Sequence, residues 1–523
     1  MSNPIPVIIG VGQVNDRDEP AKAALGLDSL GLMEAALRAA DRDAGGGWLS
    51  ALESLAVVDQ ISYPELGDVS APLAQRLGAN PRFCYKSAYG SGDSPLLLLN
   101  EAANRIGAGE IGIAAIVGGE ALRTAARQAA ARRMSDPVAG ATPTAGAPPS
   151  DNAVRALSMR RGPSYRHRYG LVAPVDVYPL YENAGRAAYG QTLAQGQDES
   201  AQIWAQFSAV AAENPGAWLR RRVSVEEIKT VSAVNRPIAF PYCKFMVANS
   251  SVNQGAGFIV TSAAEARARG IGEDRMIFIG PGAAAHEAVD VLARANYAES
   301  ASMAVSLRTA LELNGVSSAD LDYAELYSCF PCVPKMARRV IDWPLHRAAT
   351  VFGGLTFGGG PVGNYMSHAV VSMVEALRQR GRHGLLFANG GLATHSHSLL
   401  LHREPPATNR FPQNFDFQSA ADAMRGPAPA IQEDYLGPAT VETYTVLYDR
   451  EGSPHQGVIV ARAANGSRFL AKVAGADRAA IHWLTSGEQE PVGSEGTAVT
   501  GPDGDTWWQM HEPSNFSKFK SAR

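Results

Sequence analysis

Cysteine is scarce in this chain, with four in 523 residues. That is too few for a disulfide framework and agrees with a reducing compartment. A basic excess is also missing. Lys+Arg 47 against Asp+Glu 51 leaves a net charge of −4, so there is no electrostatic footprint for nucleic acid and no nucleic-acid partner is expected. Long hydrophobic runs are absent too. No window approaches the roughly 18 uninterrupted apolar residues of a membrane span, and the start, MSNPIPVIIGVGQV, lacks the basic region of a secretory signal. The expectation is a cytoplasmic protein with no membrane span and a small-molecule partner. What is present is a globular composition, 46% hydrophobic and 19% charged. The length exceeds one ordinary core, which points to two domains or a duplicated one with an addition.

Strand-like and helix-like stretches alternate from the beginning. Residues 6–14 branch like a buried strand, and 27–40 put Leu30, Met33, Ala36 and Leu37 at helical spacing. Strands follow near 55–61, 83–88 and 111–117, with helices near 71–77 and 95–106. Such alternation implies parallel pairing in a layered α/β core. The regularity fails between about Arg123 and Asn235, where AGATPTAGAPPSDN precedes the basic run SMRRGPSYRHRYG. This stretch reads as a long excursion covering the core. Its Arg160, Arg161, Arg166 and Arg168 either form a solvated face or pair with phosphates.

Alternation returns at 257–261 and continues to 398–401, repeating the first half's order of helix, strand, glycine-bearing loop, helix and strand. An internal duplication follows from that repeat. Beyond Pro405 the runs ATVETYTVLYD and VIVARAANGSRFLAKV are strand-rich, with Asn465-Gly466 as a hairpin turn. The expected division is a core of 1–122 and 236–405, a covering loop domain of 123–235, and a C-terminal all-β domain of 410–523, a small OB-like barrel.

Two loop-to-helix junctions stand out. Gly353 to Tyr365, GGLTFGGGPVGNY, holds six glycines in thirteen residues and leads into MSHAVVSMVEALR. Its backbone N–H groups either face an anionic or carbonyl oxygen above the next helix or serve tight loop-to-helix packing. The turn YGSGD, Tyr89 to Asp93, precedes a helix capped by Ser94, opened by Pro95 and apolar all round through Leu96 to Leu99. That helix is buried, so its N-terminus directs partial positive charge into the fold.

These motifs together resemble the thiolase superfamily. GGLTFGGGP is similar to the segment written GG, four residues, GHP. YSCF at Tyr327 to Phe330 takes the place of NEAF or HDCF, and NGG at Asn389 to Gly391 that of C-x-G-G. VNQGAG at Val252 to Gly257 and VGGEA at Val117 to Ala121 match two further segments in order. With YSCFP, GGP-x-x-NY and the added β domain, the chain looks most like the type-1 thiolase-like proteins, often labelled acetyl-CoA acetyltransferases. The resemblance implies a duplicated five-layer αβαβα fold with a loop domain that binds coenzyme A, and an acyltransferase family in lipid metabolism.

Carried over residue by residue, the resemblance leaves the chemistry without its usual groups. A thiolase needs a cysteine thiolate at a helix N-terminus, a histidine that activates it, and a second Cys or His that moves the α-proton. The nucleophile motif falls on Gly92-Asp93-Ser94-Pro95, placing Gly92 at the cysteine; a second register on Tyr89 to Gly92 places Tyr89 there. The His of GHP becomes Gly360, the second Cys becomes Ala388, and the residue opening the third motif becomes Tyr327. Cys332, His397 and His368 are the replacement candidates. His368 lies about 12 Å along the helix from Gly360, too far to act at the same spot. Cys329 and Cys332 form a C-x-x-C with no second pair, so no metal is expected.

Tyr89, Gly92, Asp93, Ser94, Ser250, Tyr327, Gly359, Gly360, Asn364, Asn389 and Gly390 are the substrate-binding candidates. The reading is a monomer or homodimer that binds CoA or an acyl-CoA as ligand or substrate, carries no covalent cofactor, and has lost or weakened thiolase chemistry. An active acyltransferase with relocated residues is one alternative. A scaffold acting through the C-terminal domain is the other.

Overall fold

The computed structural model describes residues 4–17, 25–135, 164–406 and 409–510. Arg160 and Arg161 lie outside them. The first half supplies β1 (Pro6–Asn15), β2 (Ser54–Val57), β3 (Phe83–Lys86) and β4 (Ile113–Glu120). A short hairpin, β5 (Pro237–Ala239) and β6 (Tyr242–Cys243), precedes β7 (Gln254–Ser262). The strand order is β3-β2-β4-β7-β1, with β7 antiparallel to both neighbours and β2 parallel to β3 and β4. β4 is buried at every position, as expected of a strand covered by helices on both faces.

The second half repeats this plan with β8 (Ile277–Ile279), β9 (Ala283–His286), β10 (Tyr323–Leu326), β11 (His383–Gly390) and β12 (His395–His402). Their order is β10-β11-β12 followed by β8 and β9, again with the strand beside the first one antiparallel. A segment at Ala349 stands where the outermost strand would be, accepting a hydrogen bond from Leu326 N at 2.9 Å. β8 pairs with both β1 and β12, so the halves join into one ten-stranded sheet. Helices Ser94–Gly107 and Tyr365–Gln379 pack on each other at the centre, and helices Ser29–Asp43 and Ala301–Asn314 cover the outer faces. The duplicated αβαβα expectation is therefore met. No described helix is long and apolar enough to cross a membrane.

The excursion is more ordered than its sequence suggests. Helices Pro174–Ala188 and Leu193–Glu213 lie within it, the first with Pro179 inside. Arg166 donates to Leu171 O and Val172 O, and Arg168 pairs with Asp505 and Glu433, so neither points to a phosphate.

The C-terminal region forms a five-stranded barrel of β13 (Gly437–Tyr448), β14 (Pro454–Ala463), β15 (Arg468–Ala474), β16 (Glu495–Thr500) and β17 (Thr506–Met510). It closes in the order β13-β14-β15-β17-β16-β13, with a helix, Arg478–Thr485, between β15 and β16. This is the OB-like arrangement. The barrel has its own interior around Val441, Ile459 and Phe469, but its outer face belongs to the main core: Val458, Val460 and Leu470 pack with Tyr169 and Leu171. Tyr165 Oη accepts Leu470 N (2.9 Å), Tyr169 Oη accepts Thr506 N (3.2 Å), and Gln456 donates to Tyr169 O. Arg468, fully buried, holds Glu442 through two donors and gives a third to Leu292 O and Arg294 O.

Candidate functional site

Two helix N-termini meet at the middle of the molecule. The turn before Ser94–Gly107 is fixed by Ser94 N donating to Ser91 O (2.9 Å) and Ser91 N to Ser94 Oγ (3.1 Å), while Asp93 accepts from the Ser91 hydroxyl. Facing it, the glycine loop enters Tyr365–Gln379 through Asn364. A Cβ on Gly363, at φ +76°, would stand 2.9 Å from Gly90 Cα, so the two turns touch backbone to backbone. Asn389 and Gly390 arrive from the end of β11 and Tyr327 from the end of β10. Ser250 sits beside the glycine loop through its neighbour Asn249, which accepts Gly360 N (2.8 Å) and donates to Leu355 O (3.0 Å). Gly92, Asp93, Ser94, Ser250, Tyr327, Gly359, Gly360, Asn364, Asn389 and Gly390 thus converge. Tyr89 stays at the rim, 41% exposed, with its hydroxyl 3.0 Å from His395 Nε2.

The contacts of the glycine loop are those of the packing alternative. A Cβ on Gly353 or Gly354 would run into Ala211 or Phe207 of helix Leu193–Glu213, so these glycines serve packing. Gly359, Gly360 and Gly363 are likewise close-packed, their added Cβ atoms meeting Gln254, the Asn249 carbonyl oxygen and Gly90.

Gly92, one of the two positions that the motif registers put in place of the nucleophile, has no room for a side chain. A Cβ on Gly92 would fall well inside contact distance of the Asn389 carbonyl oxygen and the Tyr327 hydroxyl, and 2.6 Å from Tyr327 Cζ. Tyr327 is held edge-on against Tyr365, ring centroids 5.7 Å apart, and Tyr365 donates to Glu325 at 2.6 Å. Burial keeps the Tyr327 phenol protonated, with its pKa well above the ordinary value. The Glu325 carboxyl, also buried, rises to about 7 despite hydrogen bonds from Tyr365, Val351 N and Thr350.

The three catalytic candidates sit in environments that oppose the role. Cys332 begins a helix, yet burial and then the Glu182 carboxylate push its thiol well above 9, and its Sγ contacts Tyr178 O at 3.7 Å. His397 is enclosed beside Asn100 Oδ1 (3.2 Å) and falls to about 4 by burial. His368 faces Gln13 of β1 (2.9 Å), stacks on Phe352, and falls to about 3 for the same reason. Neither histidine is poised to exchange a proton near neutrality. Among the described residues no group of three or more His, Cys, Asp or Glu could hold a metal ion.

Sequence reasoning missed the second plug. Tyr178, on helix Pro174–Ala188, accepts Ala393 N (2.8 Å) and reaches Asn389 Oδ1 (3.1 Å) and Gly391 O (3.2 Å). Its ring stacks on Phe330 at 4.5 Å, and Phe330 stacks on Tyr242. A buried Lys335–Glu182 ion pair, with Tyr242 donating to Glu182 (2.9 Å), locks this aromatic column to the helix of Cys332. One signal was available: Tyr165, Tyr169, Tyr178, Tyr181 and Tyr189 crowd into a short stretch of a chain with 16 tyrosines, more than a solvated loop requires.

Comparison with known proteins bears on this fold directly. The family described as "Thiolase-like protein type 1 additional C-terminal domain" matches residues 416–503. Curated protein sequences returned no match. Among solved structures, a monomeric SCP2-thiolase like protein type 1 from Mycobacterium smegmatis is 30% identical, with a TM-score of 0.78 over 98% of this chain and 100% of that one. Human mitochondrial 3-ketoacyl-CoA thiolase in complex with CoA aligns at 13% identity and TM-score 0.57, over 76% of this chain and 98% of that chain. The Acat5 thiolase from Ascaris suum in complex with coenzyme A aligns at 15% and 0.55, over 76% and 99%. The last two share the fold of the core, whereas the mycobacterial protein matches core and barrel together. On that full-length match, the chain belongs to the type-1 thiolase-like proteins, a thiolase fold with an additional C-terminal barrel.

Proposed function

We propose that the chain binds coenzyme A or an acyl-CoA thioester on its thiolase scaffold and carries out neither thiolysis nor Claisen condensation. The occupancy of the Gly92 position carries this reading. A covalent intermediate needs a nucleophile with room for an acyl group, and here a glycine is overlain by the Tyr327 phenol and the Asn389 carbonyl. Binding is supported by the two thiolases of the same core fold whose structures contain CoA. It is also supported by Asn364, whose Nδ2 is buried beside the glycine loop with no acceptor among the described residues, leaving a donor for a thioester carbonyl.

The alternative of relocated catalysis is disfavoured by the protonated, enclosed Cys332 and the neutral His397. The alternative of a barrel acting as an interaction module is disfavoured because the β14–β15 face is covered by Tyr165, Tyr169 and Leu171.

Titration calorimetry with CoA and acetyl-CoA, run beside an acetoacetyl-CoA thiolysis assay, tests both halves. Saturable binding with thiolysis at background is expected. Thiolysis within tenfold of an ordinary thiolase overturns the catalytic half, and absence of CoA binding overturns the other.

A further inference from the structure

Away from the glycine loops, a cavity of about 360 Å3 opens between helices Ala301–Asn314, Cys332–Val340 and Gln418–Met424. Its volume falls in the range of small-molecule sites. The floor is apolar and adaptable: Met303 and Met336 are buried, and Met424 stands half exposed at the rim. Unbranched, polarisable methionines fit varied hydrocarbon shapes.

The polar part of the wall is arginine-rich, and most of it is committed. Arg294 is buried and donates to Ala288 O (2.9 Å), Ala393 O (3.0 Å) and Leu392 O (3.1 Å). Arg339 pairs with Glu199 (2.7 Å) and lies over the Tyr189 ring. Arg425 pairs with Glu287 (2.8 Å) and Asp422 (2.7 Å). Arg308 lines the cavity from the exposed side of its helix, and its side chain has no hydrogen bond or ion pair among the described residues.

We propose that this cavity binds a small amphipathic monocarboxylate, with its hydrocarbon part on Met303, Met336 and Met424 and its carboxylate on Arg308. The methionine floor requires a hydrocarbon, and a partnerless guanidinium presents the planar fork that a carboxylate accepts in two hydrogen bonds. A single negative charge is preferred because Glu287 and Glu299 share the wall and repel a second one. A cationic headgroup is opposed by the four arginines there. The site is independent of the proposed thioester site, since no residue of the glycine loop lines it.

Octanoate is the probe, titrated calorimetrically into the full chain beside octylamine, 1-octanol and inorganic phosphate. One octanoate site is expected, at least tenfold tighter than any of the three controls and unchanged by saturating CoA. Arg308→Ala, a surface change that leaves the core intact, is expected to weaken octanoate at least tenfold while leaving 1-octanol unaffected. Ala301→Trp, at the half-buried first turn of the helix, is expected to abolish octanoate binding, with its thermal midpoint confirming a folded chain. The proposal is overturned by the absence of saturable octanoate binding, by a control that binds as tightly, or by an Arg308→Ala variant within threefold of the parent. Competition by CoA also overturns it. If Ala301→Trp fails to fold, the Arg308 result decides.

Discussion

Substituting Gly92 by alanine asks whether the nucleophile's place is truly occupied. The added Cβ meets Asn389 O, a backbone atom at the end of β11, and the Tyr327 ring, which is braced by Tyr365. Neither is the free end of a flexible side chain, so the neighbours cannot move aside independently. Overpacking of this kind costs about 3 kcal/mol. Gly390→Ala is the comparison, because the atoms nearest its Cβ are the side-chain tips of Ser91 and Asp93 and not backbone, and a smaller cost of about 1 kcal/mol is expected. Tyr327→Ala alone removes a large buried ring and costs about 3–5 kcal/mol. The double variant Gly92→Ala/Tyr327→Ala loses half of the clash along with the ring. Its destabilisation should fall short of the sum of the singles by at least ~1 kcal/mol, and not by the whole of the Gly92 cost, because Asn389 O remains. Urea unfolding followed by tryptophan fluorescence measures all four, with midpoints compared at a common slope. A Gly92→Ala variant within ~0.5 kcal/mol of the parent, or strict additivity of the two singles, would refute the account of a filled site.

Two further outcomes are expected. The unfolded chain takes up a proton on histidine near pH 6.5, whereas burial holds His397 down to about 4 in the folded protein. The unfolded state therefore binds more protons below pH 6.5 and stability falls as the pH drops toward 4. His397→Asn should lessen that fall by up to one proton, about 1.4 kcal/mol per pH unit, and an unchanged slope in pH-dependent urea midpoints would contradict it. Glu442→Gln leaves the buried Arg468 guanidinium without its carboxylate and should cost about 3–5 kcal/mol; a loss under ~1 kcal/mol in the same assay would show that the pair behaves as an exposed one.

The layered core was legible because its strands and helices differ in period, and because Pro95 and the two glycine turns mark helix starts that any local reading detects. The barrel was legible from alternation along 439–448 and 457–473. Helices Pro174–Ala188 and Leu193–Glu213 were not. The first is buried on almost every side, from Asp176 to Arg186, so it has no polar stripe to set a period, and Pro179 reads as a breaker. Motif alignment placed Tyr327 at the third motif but could not show that its ring reaches across to Gly92. Alignment counts positions along the chain, and the contact depends on volume between strands. The same limit hid the Tyr178 plug, which joins residues 211 positions apart. The arginine reading stayed open in the sequence because only the folded chain brings Arg168 to Asp505.

The barrel's grip on Tyr165 and Tyr169 also sets a timetable for synthesis. Tyr169 and Thr506 are 337 residues apart, and a ribosome adding 5–20 residues per second takes about 17–67 s to cover that distance. For most of that interval Tyr165, Tyr169 and Leu171 have been made, but β14 and β15, which cover them, have not. β5 likewise waits for β13, whose Leu447 pairs with Ala239. The helix carrying Tyr178 begins a few residues beyond this segment, and its Asn183 waits for β13, donating to Tyr444 O at 2.9 Å. An aromatic surface next to an open sheet edge is what chaperones recognise in nascent chains. A chain released before β14 and β15 are made leaves Tyr165, Tyr169 and Leu171 without the strands that cover them.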